Sequence, residues 1–195
     1  MLQFLNSFSY HPPGTPPNLK LRQAVTSDIL SWNAGLSQAI VDGITDTACG
    51  IAECSYPHLS YSHQLFIALY TAYLTYVDDL GQHNPDAVGQ FVQRFTDGEP
   101  QLVPALDRLA TLLGTVYKLY PYVCANGIVS NTLDVVTWMY VEFKTKGKMV
   151  LPAATRYLLY LRLRAGAAPA YAYFNFARDW AATEGVDLFY LQIIP

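Results

Sequence analysis

Apolar positions along the chain recur at steps of three and four residues rather than alternating, and that spacing predicts helices, not strands. Leu102, Leu106, Leu109, Leu113, Val116 and Leu119 keep close to the 3.6-residue period across 102–120. Upstream, the first helical region covers Leu19–Ile44, with a cap expected at Ser27 and Asp28 in the first turn. Ser55-Tyr56-Pro57 opens a long helix to about Leu80, stopped by Gly81 and Asn84-Pro85. A shorter helix over Pro85–Phe95 is broken by Asp97-Gly98-Glu99-Pro100. Pro121 separates the 102–120 helix from one over Tyr122–Lys146, which ends at Gly147. Two further helices are expected at Pro152–Leu163 and Asp187–Ile194. No Asn-Gly turn joins two alternating runs, and no repeat is present. The expected fold is an all-α helical bundle of about seven or eight helices.

The beginning of the chain differs from the rest. Pro12, Pro13, Gly14, Pro16 and Pro17 make residues 1–20 read as a flexible leader, without the positive start and apolar core of a secretion signal. Residues 21–195 read as one domain.

Composition narrows the function classes. Hydrophobic residues make up 52% of the 195 residues and charged ones only 14%, against about 25% in a typical soluble domain. That is too little charge for a disordered chain. The 15 Tyr, 9 Phe and 3 Trp predict an interior rich in rings. A net charge of −3 offers no broad basic surface for nucleic acid. The most apolar stretch, Leu65–Val77, is 13 uncharged residues long, short of the roughly 20 a membrane span needs. Ala165–Ala177 is also short and contains Pro169, so no span is expected. Cys49, Cys54 and Cys124 lack the paired spacing of a structural zinc site. They read as reduced thiols, which places the protein in the cytoplasm.

Chemistry concentrates at the end of the apolar helix. Asp78 and Asp79 are adjacent there, and Asp78 follows Leu74, Thr71 and Ile67 on one helical stripe. Carboxylates in that position are costly unless they meet water, a partner or a metal. They also oppose the helix macrodipole. Hard divalent ions such as Mg²⁺ take oxygen ligands and are held by one or two carboxylates plus substrate phosphates.

Three segments carry a family resemblance. Tyr73-Leu74-Thr75-Tyr76-Val77-Asp78-Asp79 resembles the aspartate-rich segment of class I terpene synthases, particularly the fungal trichodiene-synthase-like group. Asn131-Thr132-Leu133-Asp134-Val135-Val136, followed by Glu142, is similar to that group's S/N-T-L-D helix. Tyr160-Leu161-Arg162-Leu163-Arg164-Ala165-Gly166 is similar to the segment whose arginine senses the diphosphate. The three occur in the family's order and cover about residues 55 to 195.

The resemblance implies a sesquiterpene cyclase. Mg²⁺ (Mn²⁺ as a substitute) and basic side chains would grip farnesyl diphosphate, the C–O bond would break with release of diphosphate, and an aromatic pocket would fold the allylic cation. In that reading Asp78 and Asp79 hold the metal, and Asp78 and Arg162 serve catalysis. Arg162, with Arg164 as second choice, contacts the diphosphate. Phe66, Tyr70, Tyr73, Trp138 and Tyr140 are the candidate pocket walls, although each one taken separately reads more readily as ordinary core packing at helical spacing. Two residues apart on a helix, Arg162 and Arg164 point about 200° away from each other, so only one can face a cavity. Lys144, Lys146 and Lys148 read as a solvated helix end with no role.

The chain departs from the family pattern in two places. Asp78-Asp79-Leu80-Gly81-Gln82-His83 lacks the third acid of D-D-x-x-D, although Gln82 could offer a neutral oxygen. No N-D-x-x-S-x-x-K-E string follows. The expectation is therefore an incomplete class I terpenoid synthase fold, apparently truncated at the C-terminus, with exposed apolar surface that invites a homodimer. The alternative is a catalytically impaired remnant that only binds isoprenoid diphosphate or protein partners.

Overall fold

The computed structural model describes residues 16–178. Most of the expected leader and the helix expected at Asp187–Ile194 lie outside them. The described residues form eight α-helices: α1 Leu19–Ser31, α2 Gln38–Ser55, α3 Tyr61–Leu80, α4 Pro85–Asp97, α5 Pro104–Leu119, α6 Tyr122–Thr145, α7 Tyr157–Arg164 and α8 Ala168–Tyr173. There is no strand among them, so the all-α expectation holds.

The first helical region is two helices, not one. Asn33 (φ 51°) and Gly35 (φ 64°) take left-handed backbone between α1 and α2, which ends the first helix well before Ile44. The cap is Asn18, whose Oδ1 accepts from the Leu21 N–H at 3.1 Å. Ser27 lies inside α1 instead. Asp28 joins two helices rather than capping one, as its Oδ2 accepts from Trp32 Nε1 and from the Tyr73 hydroxyl of α3, both at 2.9 Å. The helix expected from Pro152 starts only at Tyr157, and α8 follows it within the short apolar stretch Ala165–Ala177.

Helix α3 is the centre of the bundle. It packs against α1, α2 and α5, while α6 packs against α4 and α8. An apolar helix on all sides must be enclosed, and Ile67, Ala68, Tyr70, Ala72 and Val77 are all fully buried or nearly so. Leu109, Leu113 and Val116 fill the α5 side as their period requires. Several buried polar groups are paired. His63 Nε2–H donates to the Leu119 carbonyl at 3.2 Å while Nδ1 accepts from Ser60 Oγ at 2.7 Å. Arg178 closes the end of α5, its backbone N–H and guanidinium donating to the Leu119 and Tyr117 carbonyls. Among the described residues, no helix is long and apolar enough to cross a membrane.

Candidate active site

The site is built where α3 ends against α6. Ile67, Thr71 and Leu74 are buried, and the next residue on that stripe is Asp78, at the rim, exposed on one side and partly shielded by the surrounding protein. Gly81 follows in a short 3-10 turn, Gly81–His83. Its backbone is ordinary right-handed helix (φ −58°), so its use is space rather than conformation. A Cβ there would lie 3.0 Å from the Phe143 ring and 3.2 Å from Val88. The missing side chain lets the end of α3 approach α6.

That approach puts Asp78 and Glu142 in the walls of two adjoining cavities, of about 590 and 650 Å³. Leu158 and Leu161 of α7 also line both. One cavity adds Arg162 and Met139. The other adds Gln82, Lys146, Lys148 and an apolar wall including Phe143, Met149 and Tyr157. Burial pushes the Asp78 carboxyl above the usual range, the adjacent Asp79 adds to this, and the Arg162 charge works against it.

The two arginines of α7 separate as helical geometry demands. Arg162 lines the cavity with Asp78. Arg164 donates to Asp134 Oδ1 of α6 at 2.6 Å and lies over the Trp138 ring, 5.6 Å from its centroid. Asn131 Oδ1 accepts from the Ala170 N–H at 3.2 Å. Asn131 and Asp134 thus clasp the stretch that carries Arg162 onto α6. Trp138 meets Tyr160 edge-on, centroids 5.0 Å apart, within that clasp.

Phe66, Tyr70 and Tyr73, expected as pocket walls, lie in the packed core, and neither cavity reaches them. Phe66 and Tyr70 stack within a cluster that includes Tyr120 and Phe174. Tyr70 donates to Thr132 Oγ1 at 3.0 Å, and that hydroxyl donates to the Ile128 carbonyl at 2.6 Å. Burial pushes the Tyr70 and Tyr73 hydroxyls well above the ordinary tyrosine range. Tyr140 packs over Gly89 of α4. Asp79, also exposed, is in neither cavity wall.

Sequence reasoning gave no site role to Glu142, Lys146 or Lys148. Glu142 follows Met139 by three residues on α6, which sets both on one face. That spacing was the available signal. The lysines owe their place to the turn that follows α6.

Do these residues suit a divalent ion? Among the described residues no group of three or more His, Cys, Asp or Glu could hold one. Asp78 and Glu142 do offer two carboxylates on shared cavity walls, and neither side chain has a hydrogen bond or an ion pair within 4 Å among the described residues. Gln82, read from the sequence as a possible neutral oxygen, accepts from Lys146 Nζ through its Oε1 at 2.8 Å. Two carboxylates suit an ion whose remaining oxygens come from a phosphate ligand and water.

Helices enclosing an apolar core, with acidic and basic side chains lining two adjoining cavities at one end, define an all-α protein with a candidate site there. Comparison with known proteins gives that class a family context. No family model matches the chain. The chain is 30% identical to a terpene synthase of Cochliobolus sativus over 187 residues, covering 93% of this chain and 56% of the relative. It is 26% identical to the alpha-cuprenene synthase of Coprinopsis cinerea over 185 residues, covering 88% of this chain and 57% of the relative. Identity to the (E)-beta farnesene synthase of Metarhizium brunneum is 27% over 154 residues, 78% of this chain and 46% of the relative. The chain is thus similar to fungal terpene synthases and spans about half the length of these curated relatives.

Proposed function

We propose that the chain carries the diphosphate-binding and ionisation end of a cytoplasmic sesquiterpene synthase acting on farnesyl diphosphate. The observation that carries this reading is the shared cavity of Asp78, Glu142 and Arg162. Its similarity to fungal terpene synthases supports it. Arg162 would hold the diphosphate through charge-assisted N–H donors. Asp78 and Glu142 would hold Mg²⁺, which when bound would neutralise charge developing on the leaving group. The apolar wall of Leu158, Leu161 and Met139 would keep water from the reacting carbon. The test is incubation with farnesyl diphosphate with and without MgCl₂, measuring released diphosphate and volatile hydrocarbons. Mg²⁺-dependent release supports the reading. No release by a protein that includes the whole reading frame would overturn it.

A second reading has its own observation. With no three-carboxylate cluster among the described residues, the same cavity suits a non-catalytic binder of isoprenoid diphosphates. Retention of farnesyl diphosphate without turnover distinguishes it.

A further inference from the structure

Binding of a diphosphate by Arg162 alone leaves two of the three cationic side chains in the cavity walls, Lys146 and Lys148, without a use. Helix α6 ends at Thr145, and the chain turns at once: the Lys148 N–H donates to the Thr145 carbonyl at 2.9 Å, with Gly147 at φ +76° between the two lysines. Only a residue tolerant of left-handed backbone closes this turn without strain. Its effect is to set Lys146 and Lys148 in the wall of one cavity together with Asp78 and Glu142. Lys144, further back on α6, lies over the Tyr140 ring at 5.9 Å instead and is in neither cavity wall.

Lys146 is also held. Its ammonium donates to Gln82 Oε1 at 2.8 Å, which bridges the turn after α3 to the end of α6. Gln82 is neutral, so it fixes the direction of the ammonium without cancelling its charge. A carboxylate there would have formed an ion pair and taken the cation out of use. The shared carboxylates therefore lie between two sources of positive charge, Arg162 in one cavity and Lys146 with Lys148 in the other. An occupant that answers both signs is a polyanion taken up with a divalent cation.

We propose that Lys146, aimed by Gln82, is a second cationic contact for the diphosphate group, acting with Arg162 across the carboxylates of Asp78 and Glu142. This rests on the diphosphate reading of the site. Gln82 is then a positioning residue and not a metal ligand.

The test is calorimetric titration of the protein with inorganic diphosphate in MgCl₂, comparing Lys146→Ala, Lys146→Arg, Arg162→Gln and Lys144→Ala. Far-ultraviolet circular dichroism checks that each variant keeps its helix content. About a tenfold loss of affinity is expected for Lys146→Ala, with most of it restored in Lys146→Arg and no change in Lys144→Ala. Gln82→Met, which removes the acceptor and little else, should weaken binding by a smaller factor, and that effect should vanish in the Lys146→Ala background. Unchanged affinity in Lys146→Ala alongside a loss in Arg162→Gln overturns the Lys146 contact and leaves the diphosphate reading standing. Absence of diphosphate binding by the native protein overturns both.

Discussion

Asp78 at the end of α3 and Arg162 in α7 line one cavity, and the arginine's charge opposes the burial that raises the aspartate's pKa. A lone carboxylate at an apolar helix end is a liability. The Arg162 charge offsets part of that cost, and Glu142 lies on the same cavity walls.

Replacing Asp78 by Asn should separate function from stability. Its folded pKa lies above the ordinary aspartate value, so the stabilising state is the protonated one. That contribution is complete below about pH 3.9 and is lost as pH rises through the folded pKa, leaving a net cost at neutral pH. Asp78→Asn should therefore raise Tm slightly at pH 7, by about 1 °C, the effect being small because the group is exposed on one side. The gain should shrink toward pH 4. The same variant should lose the Mg²⁺ dependence of diphosphate binding. Calorimetric melting across pH and a Mg²⁺ titration check both halves.

Arg162 and Arg164 should behave differently although only Leu163 separates them. Arg162→Gln is expected to lower turnover, or diphosphate affinity in a non-catalytic protein, by about 10²-fold with little change in Tm. Arg164→Gln breaks a pair whose side chains are 44% and 29% exposed, so it should cost less than about 1 kcal/mol. It should leave diphosphate affinity close to native. Equal loss in both variants would remove Arg162 from its assigned place.

Core and cavity can be told apart at Phe66 and Tyr70. Tyr70→Phe removes the donor to Thr132, whose own bond to the Ile128 carbonyl survives, so a cost of about 1 kcal/mol is expected. Phe66→Ala should cost about 3–5 kcal/mol through the cavity it leaves. Urea unfolding measures both. Tyr70→Phe should leave any product pattern unchanged, because the ring does not border the cavities.

Gly81 should be intolerant of bulk. The Phe143 ring can yield a few tenths of an ångström to a methyl group, so Gly81→Ala should be mild. Gly81→Val meets Phe143 and Val88 together and should cost about 1–3 kcal/mol. By forcing α3 away from α6 it should also weaken Mg²⁺-dependent diphosphate binding more than Gly81→Ala does.

The periodicity of leucines such as Leu106, Leu109 and Leu113 sets the helices, because a stripe at 3.6 residues can be buried in one way only. The acidic pair was equally legible, since two carboxylates closing an apolar helix stand out against so little charge. Intramolecular geometry on one helix also decided that Arg162 and Arg164 diverge. Other features needed the third dimension. Whether a ring on an apolar helix faces core or cavity depends on the helices beside it, and Phe66, Tyr70 and Tyr73 have the same spacing in either case. Glu142, Lys146 and Gln82 sit on different elements, and nothing local joins them. Their convergence depends on the missing side chain at Gly81 and the left-handed turn at Gly147. Sequence thus determined most of the helical segments and where charge is concentrated, since both follow from short-range chemistry, but not the break at Asn33 and Gly35 or the late start of α7 at Tyr157. Only the packing of α3, α6 and α7 decided which of those charges share a cavity, because contact between distant residues is a property of the whole bundle.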